Sequence, residues 1–262
     1  MITLAHGFKA KFLKTIDKSP RLIDGGCIGI HGVFGSGKTH LVGEAIKVEK
    51  EHGEVIFANI VGEDGEGSAK ELSVIPKEYR IDVDQYEAAL ELADYAKHVK
   101  ARLLCIDSLP LLYELAIKKK TGGKRPPLMT KENNEWTEIH IKMEELMTVI
   151  RRSADFVVIA SPSDLGIDLI KEGESAIKTS KSMVVPDMKG KYATGCAKWF
   201  DLLAYLKADL KNGNMIRELH VAKSDRWLTR QRLPVEITEP IAIPHGGGGW
   251  TALMEAIYKS YV

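Results

Sequence analysis

The chain has 262 residues, a formal net charge of +1, 44% apolar and 28% charged residues. That length holds one large α/β domain or two small ones, and the composition is that of an ordinary soluble globular protein. The near-neutral balance gives no global case for a nucleic-acid partner, which leaves only local patches, and no run approaches the roughly 18 consecutive apolar residues of a membrane span.

Residues 1–21 form a lead-in. Leu4, Phe8, Phe12 and Leu13 alternate with Lys9, Lys11 and Lys14, which suits a short amphipathic segment and lacks the apolar core and cleavage site of a secretory signal. Cys27 to His31 reads as a short buried strand. It runs into Gly32-Val33-Phe34-Gly35-Ser36-Gly37-Lys38-Thr39, which fits G-x-x-x-x-G-K-[ST], the loop that cradles nucleotide phosphates. The glycines let successive N–H groups converge on one anion. Lys38 is placed to reach the β- and γ-phosphates, and the Thr39 hydroxyl to bind Mg2+. Leu41, Val42, Ala45 and Ile46 recur at helical spacing after His40, so a helix over 40–50 adds its positive end to the site. Strand, loop and helix stand in the order the motif demands.

Glu54 to Val61 reads as the second strand, and Glu63, Asp64 and Glu66 follow it. A water nucleophile needs a positioning base; Glu63 is the first candidate and Asp64 the second, against the plain reading of a solvated acidic loop. Tyr86 to Val99 reads as a helix. Arg102 to Asp107 is a strand with an apolar centre, ending in an acid 69 residues after Lys38. Four apolar residues closed by Asp107 have the Walker B form, in which the carboxylate helps hold Mg2+; the alternative is that Asp107 caps the next helix. Lys118 to Pro127 carries Lys118, Lys119, Lys120, Lys124 and Arg125 without an acid, and reads as a basic, glycine-containing loop suited to phosphate backbones.

Ile139, Met143, Leu146, Met147 and Ile150 recur at three and four, which predicts a long helix over 136–152. Phe156 to Ala160 is the next strand. Ser161-Pro162-Ser163 then offers a hydroxyl, Ser161 first, as a γ-phosphate sensor, or a simple turn. Residues 161–192 read as a long loop with as many acids as lysines and one aromatic, Tyr192, so a stacking platform for bases has little support there. Leu202 to Leu210 and Met215 to Ala222 predict a β-hairpin across Asn212-Gly213. Thr251 to Tyr261 reads as a helix after the glycines of 246–249. Strands alternating with helices predict a parallel sheet covered on both faces, in a single α/β domain over 1–262. The widely spaced Cys27, Cys105 and Cys196 make no metal knuckle, and buried free thiols suit a cytoplasmic location.

Gly32 to His40 resembles the P-loop of archaeal RadA, and Leu103 to Ser108 resembles the Asp-Ser Walker B of RecA-like ATPases. The layout over residues 22–240 is similar to the compact RecA-like ATPases of phages and some archaea. Glu135-Trp136, Lys198-Trp199-Phe200-Asp201 and Lys223-Ser224-Asp225-Arg226-Trp227 carry that likeness downstream. The resemblance implies a RecA-like P-loop NTPase fold with a C-terminal β-hairpin extending the sheet, and ATP and Mg2+ held by residues 32–40 and Asp107. It implies a homo-oligomeric ring or filament in which Lys223 and Arg226 reach a neighbour's γ-phosphate, and single-stranded DNA held by the Lys118–Arg125 segment. Recombination proteins are the implied partners. The stretch before Gly32 is too short for the helix-hairpin-helix domain of RadA, no Phe-x-x-Ala segment precedes the core, and Ser161-Pro162 replaces the usual Asn-Gln. These departures point to an accessory ATPase rather than a strand-exchange enzyme. Two other classes compete: a nucleotide-switched regulator or assembly factor, and a small-molecule kinase, for which the expected Arg-rich lid is missing from 164–192.

Overall fold

A computed structural model describes residues 22, 24–61, 74–123, 126–128, 134–169, 180–188, 192–211 and 213–261, with backbone alone at 165–169 and 180–182. Strand β1 (Gly26–Gly32) leads into helix α1 (Lys38–Glu49), then β2 (Val55–Ile60), β3 (Arg80–Val83) and α2 (Tyr86–His98). There follow β4 (Leu103–Asp107), α3 (Leu109–Thr121), α4 (Glu135–Ile150), β5 (Phe156–Leu169) and β6 (Ser180–Pro186). A short helix α5 (Tyr192–Gly195) runs into a 3-10 turn over 196–199. The chain closes with β7 (Leu202–Lys211), β8 (Asn214–His220), β9 (Arg230–Gln231), β10 (Ile241–Ile243) and α6 (Gly249–Lys259).

The sheet order is β10-β8-β7-β1-β5-β4-β2-β3. The strands from β7 through β1, β5, β4 and β2 to β3 are all parallel to their neighbours. The predicted hairpin β7–β8 adds antiparallel strands at one end, with Lys211 paired to Asn214 and Gly213 at φ 79°. The positive φ is the backbone such a tight turn requires, and it is why glycine stands there.

Both faces of the sheet are buried, as parallel strands require. Alternate residues of β4 serve opposite layers: Leu103 and Cys105 pack with α1 and α6, Leu104 and Ile106 with α2, α3 and α4. The stripe predicted for α4 (Ile139, Met143, Leu146, Met147, Ile150) is buried against the sheet. All three cysteines are buried free thiols. No helix among the described residues is long and apolar enough to cross a membrane.

Two expectations need correction. Residues 161–192 are not one long loop: β5 continues to Leu169 and pairs antiparallel with β6, from Ser163↔Pro186 to Leu169↔Ser180. Its apolar positions 165, 167 and 169 alternate with period two, a strand signal diluted by the Ser, Gly and Lys around it. The basic segment, too, is helical at its start. Lys118, Lys119 and Lys120 form the last turn of α3, which stops at Gly122 with φ 69°. Three cations there complement the negative end of the helix.

The layer holding α1 and α6 is pinned by Trp250. Its ring is fully buried, lies edge-on to Phe156, and its Nε1–H donates to Glu49 Oε1 at 2.9 Å, while Arg102 Nε donates to Glu49 Oε2 at 2.8 Å. Trp250→Ala removes the aromatic packing and one of Glu49's donors. It is expected to cost about 3–5 kcal/mol, read as a lower urea midpoint with an unchanged slope.

Candidate functional site

Strand β1 ends level with Pro162 of β5, and the chain leaves the sheet as the glycine-rich loop. Gly32 is packed so closely that a Cβ there would sit 2.5 Å from the Leu206 carbonyl oxygen, so no larger residue fits. Ser36 N–H donates to Val33 O at 3.2 Å, and Leu41 N–H to Gly37 O at 3.0 Å opens α1. Gly35 and Gly37 take φ 75° and 102°, a left-handed backbone that side chains with a Cβ resist.

Inside this turn Ser36 is fully buried, and its Oγ has no hydrogen-bond partner among the described residues. A buried hydroxyl left unpaired costs on the order of 1–3 kcal/mol, so an oxyanion seated on the loop would find a donor waiting. Lys38 Nζ lies over the loop and donates to the Gly32 and Val33 carbonyls at 2.9 and 3.0 Å. Val33 and Phe34 stand exposed at the loop tip, with the Lys38 ammonium 5.8 Å from the Phe34 ring centre.

Asp107 closes β4. In the chain β2 and β3 lie between it and the loop, and in space β5 does. Thr39 Oγ1 donates to Asp107 Oδ2 at 3.1 Å, so the hydroxyl and the carboxylate meet at the C-terminal edge of the sheet, where parallel α/β sheets bind ligands. Ser108, not Asp107, occupies the N-cap of α3, so the helix-cap alternative does not account for the acid. The Asp107–Ser108 peptide is cis. A hydroxyl beside a carboxylate suits a hard cation. Mg2+ is such a cation: it takes one or two carboxylates and completes its shell with phosphates and water.

One participant carries no sequence signal. Arg217, on β8, donates from Nε to the Ser36 carbonyl at 3.0 Å and packs on Gly37, where a Cβ would lie 2.9 Å from Nε. Only the register of β7 with β8, which sets Arg217 opposite Ala208, brings it over the loop. A small recess lined by Gly37, His40, Glu44, Arg217, Ile243 and Pro244 opens beside it. The exposed His40 ring faces Glu44 at 3.5 Å. A wider recess of about 610 Å³ lies on the outer side of α4, but Glu144 there already accepts from Trp199 Nε1 at 2.9 Å and pairs with Lys198 at 2.5 Å. The phosphate loop is therefore the stronger site.

The other expected residues fall as follows. Glu63, Asp64 and Glu66 lie outside the described residues, as do Lys124 and Arg125. Strand β2, which leads to the acids, is in register with β4, Asn59 opposite Asp107. Ser161 is buried, and its hydroxyl donates to the Pro162 carbonyl at 2.9 Å. Lys223 and Arg226 are exposed on the connection after β8. Lys119 is paired with Glu87 of α2, and Lys120 with Glu138 of α4 at 2.6 Å, so neighbouring elements supply the acids that the segment itself lacks.

The parallel core, the loop at the end of β1 and an Asp one strand away define an α/β fold with a phosphate-binding loop at the C-terminal edge of its sheet. No protein-family model and no curated protein matches the chain. Among solved structures it is similar to a KaiC-like protein from the hyperthermophilic archaeon Pyrococcus horikoshii, at 16% identity over 85% of this chain and 87% of that one, with a TM-score of 0.47.

Two outcomes follow. Gly37→Ala forces a left-handed alanine against Arg217 and is expected to cost about 1–2 kcal/mol in urea unfolding. His31, just before the loop, is held neutral: burial, then the nearby Lys38 charge, against an opposing bond to the Leu228 carbonyl, lower its pKa from 6.5 to about 4. The folded state therefore binds fewer protons than the unfolded one between those values. His31 contributes about 3 kcal/mol at neutral pH that is lost as pH falls from 6.5 towards 4. Compared with His31→Gln, the wild type should show the steeper loss of stability across that window.

Proposed function

We propose that this chain is a Mg2+-dependent ATPase of the RecA-like class. The observation that carries the reading is the buried Ser36 hydroxyl, without a hydrogen-bond partner among the described residues, inside a glycine loop whose Thr39 touches Asp107. The loop amides and the N-terminus of α1 bind phosphate oxygens. Lys38 leaves the Gly32 and Val33 carbonyls for the β- and γ-phosphates, and Arg217 holds the loop backbone in shape from β8. Thr39 and Asp107 would hold Mg2+, which supplies neutralising charge on the β- and γ-oxygens. Glu63, with Asp64 second, orients the attacking water, and Ser161 is the candidate γ-phosphate sensor. Lys223 and Arg226, exposed and without an ion pair among the described residues, serve a neighbouring copy in a homo-oligomer, where an arginine stabilises transition-state charge.

The direct test is MgATP hydrolysis by the purified protein. Lys38→Ala is expected to lower the rate by roughly a hundredfold or more. Arg226→Ala should lower kcat while leaving ATP binding intact. Hydrolysis that survives Lys38→Ala at the wild-type rate would sink the assignment.

For the output of the cycle we propose action on single-stranded DNA in recombination or repair, as an accessory to recombination proteins. Turnover indifferent to every form of DNA would remove that half of the reading and leave a nucleotide-switched regulator. The pairing of Lys119 with Glu87 and of Lys120 with Glu138 favours this second reading, because it neutralises part of the expected DNA contact.

A further inference from the structure

His31 is fully buried at the end of β1, one residue before the phosphate loop. Both ring nitrogens are engaged across the chain. Nε2 lies 2.6 Å from the Leu228 carbonyl oxygen and Nδ1 2.9 Å from Ser163 Oγ. A carbonyl only accepts, so Nε2 carries the proton, Nδ1 is an acceptor, and the Ser163 hydroxyl donates to it. The ring has no capacity left for another partner.

The two partners lie on segments that are themselves joined. Ser163 begins the extension of β5 that pairs with β6. Leu228 lies in a strap over 222–229, closed on itself by Thr229 Oγ1 donating to the Ala222 carbonyl at 2.6 Å. Val184 N–H on β6 donates to Arg226 O at 2.8 Å, Leu228 N–H donates back to Val184 O at 2.8 Å, and Asp187 N–H donates to Pro162 O at 2.9 Å. Trp227 stacks on Tyr205 at 5.0 Å and 14°, and Tyr205, the register partner of His31 on β7, brings its ring to 5.3 Å from the imidazole. The end of β1, the β5–β6 hairpin and the strap bearing Lys223 and Arg226 thus form a closed circuit that passes through the His31 ring.

We infer that His31 is a positioning residue that couples the phosphate loop to the Lys223–Arg226 strap and the β5–β6 hairpin; the inference rests on the nucleotide reading above. Moving the end of β1 without the strap would leave a buried donor or acceptor unpaired. A polar group stripped of water and left without its partner is unfavourable, so the strap follows the loop. A hydrophobic residue at 31 would fill the space and lose the coupling.

Residue-resolved amide hydrogen exchange tests this, with and without Mg2+ and a non-hydrolysable ATP analogue. Without nucleotide, His31→Leu should speed exchange at the Val184 and Leu228 amides by about tenfold or more while residues 28–30 and α1 keep their protection. With the analogue, the wild type should gain protection at 184 and 228 together with 33–39, and His31→Leu at 33–39 alone. His31→Gln, which keeps a donor for the Leu228 carbonyl, should restore the response at 228. Unchanged exchange at 184 and 228 in nucleotide-free His31→Leu overturns the inference, as does an analogue response there equal to that of the wild type. Absence of protection at 33–39 in the wild type would instead refute the nucleotide reading, and the nucleotide-free comparison still decides the coupling through His31. If His31→Leu does not fold, Ser163→Ala removes one arm of the circuit and should by itself speed exchange at Val184; no change there overturns the inference equally.

Discussion

The architecture above the sheet depends on one mismatch of length. β1 stops at Gly32, while β5 and β7, the strands on either side of it, run on to Leu169 and Lys211. The approach to β7 is close there: a Cβ on residue 32 would lie 2.5 Å from the Leu206 carbonyl oxygen, so glycine alone fits. The chain turns out of the sheet at that point, into a trough with a strand extension on each side. Each neighbour pairs with a returning strand, β6 or β8, and those returns bring in the groups that touch the loop region. Arg217 comes from one wall, and the Val184 contacts that hold the 222–229 strap come from the other.

The opposite end of β1 is fixed by charge rather than by crowding. Asp201 Oδ2 accepts from the Cys27 N–H at 3.0 Å, and its Oδ1 is shared by Arg151 and Arg232 at 3.3 Å each. A half-buried carboxylate with two guanidinium partners and a backbone donor is well compensated for leaving water. It joins the start of β1 to the end of α4 and to the strand that follows the strap. With both ends held, β1 is a fixed rod on which the loop is mounted.

How much of this could be read beforehand varied with the range of the interaction. The loop was legible because its chemistry is local: glycines at 32, 35 and 37 and Lys38-Thr39 act through their own backbone and side chains. Asp107 was legible because an apolar run ending in acid marks the end of a buried parallel strand. The helix over 109–121 was obscured by Gly122-Gly123 and Pro126-Pro127, which made Lys118–Lys120 look like loop residues. Leu109, Leu112, Tyr113, Leu115 and Ala116, all buried, were the helical signal to weigh against them. Arg217 and His31 had no local signature. One depends on the register of a hairpin, the other on a strap that returns nearly two hundred residues later in the chain, and neither distance can be seen in a window of sequence.

Lys38 shows what such a loop does in thermodynamic terms. Its ammonium is already bonded to two carbonyls of the loop it serves, so any anion arriving there enters an exchange rather than a simple addition. Each of these charge-assisted bonds is worth about 1.5–3 kcal/mol, and the phosphate must better both before any net affinity appears. On the proposed reading, a polyphosphate, offering several oxygens at once, meets that requirement better than a neutral or singly charged visitor. On that reading the contact would act as a threshold that favours charge density over the identity of the base or sugar.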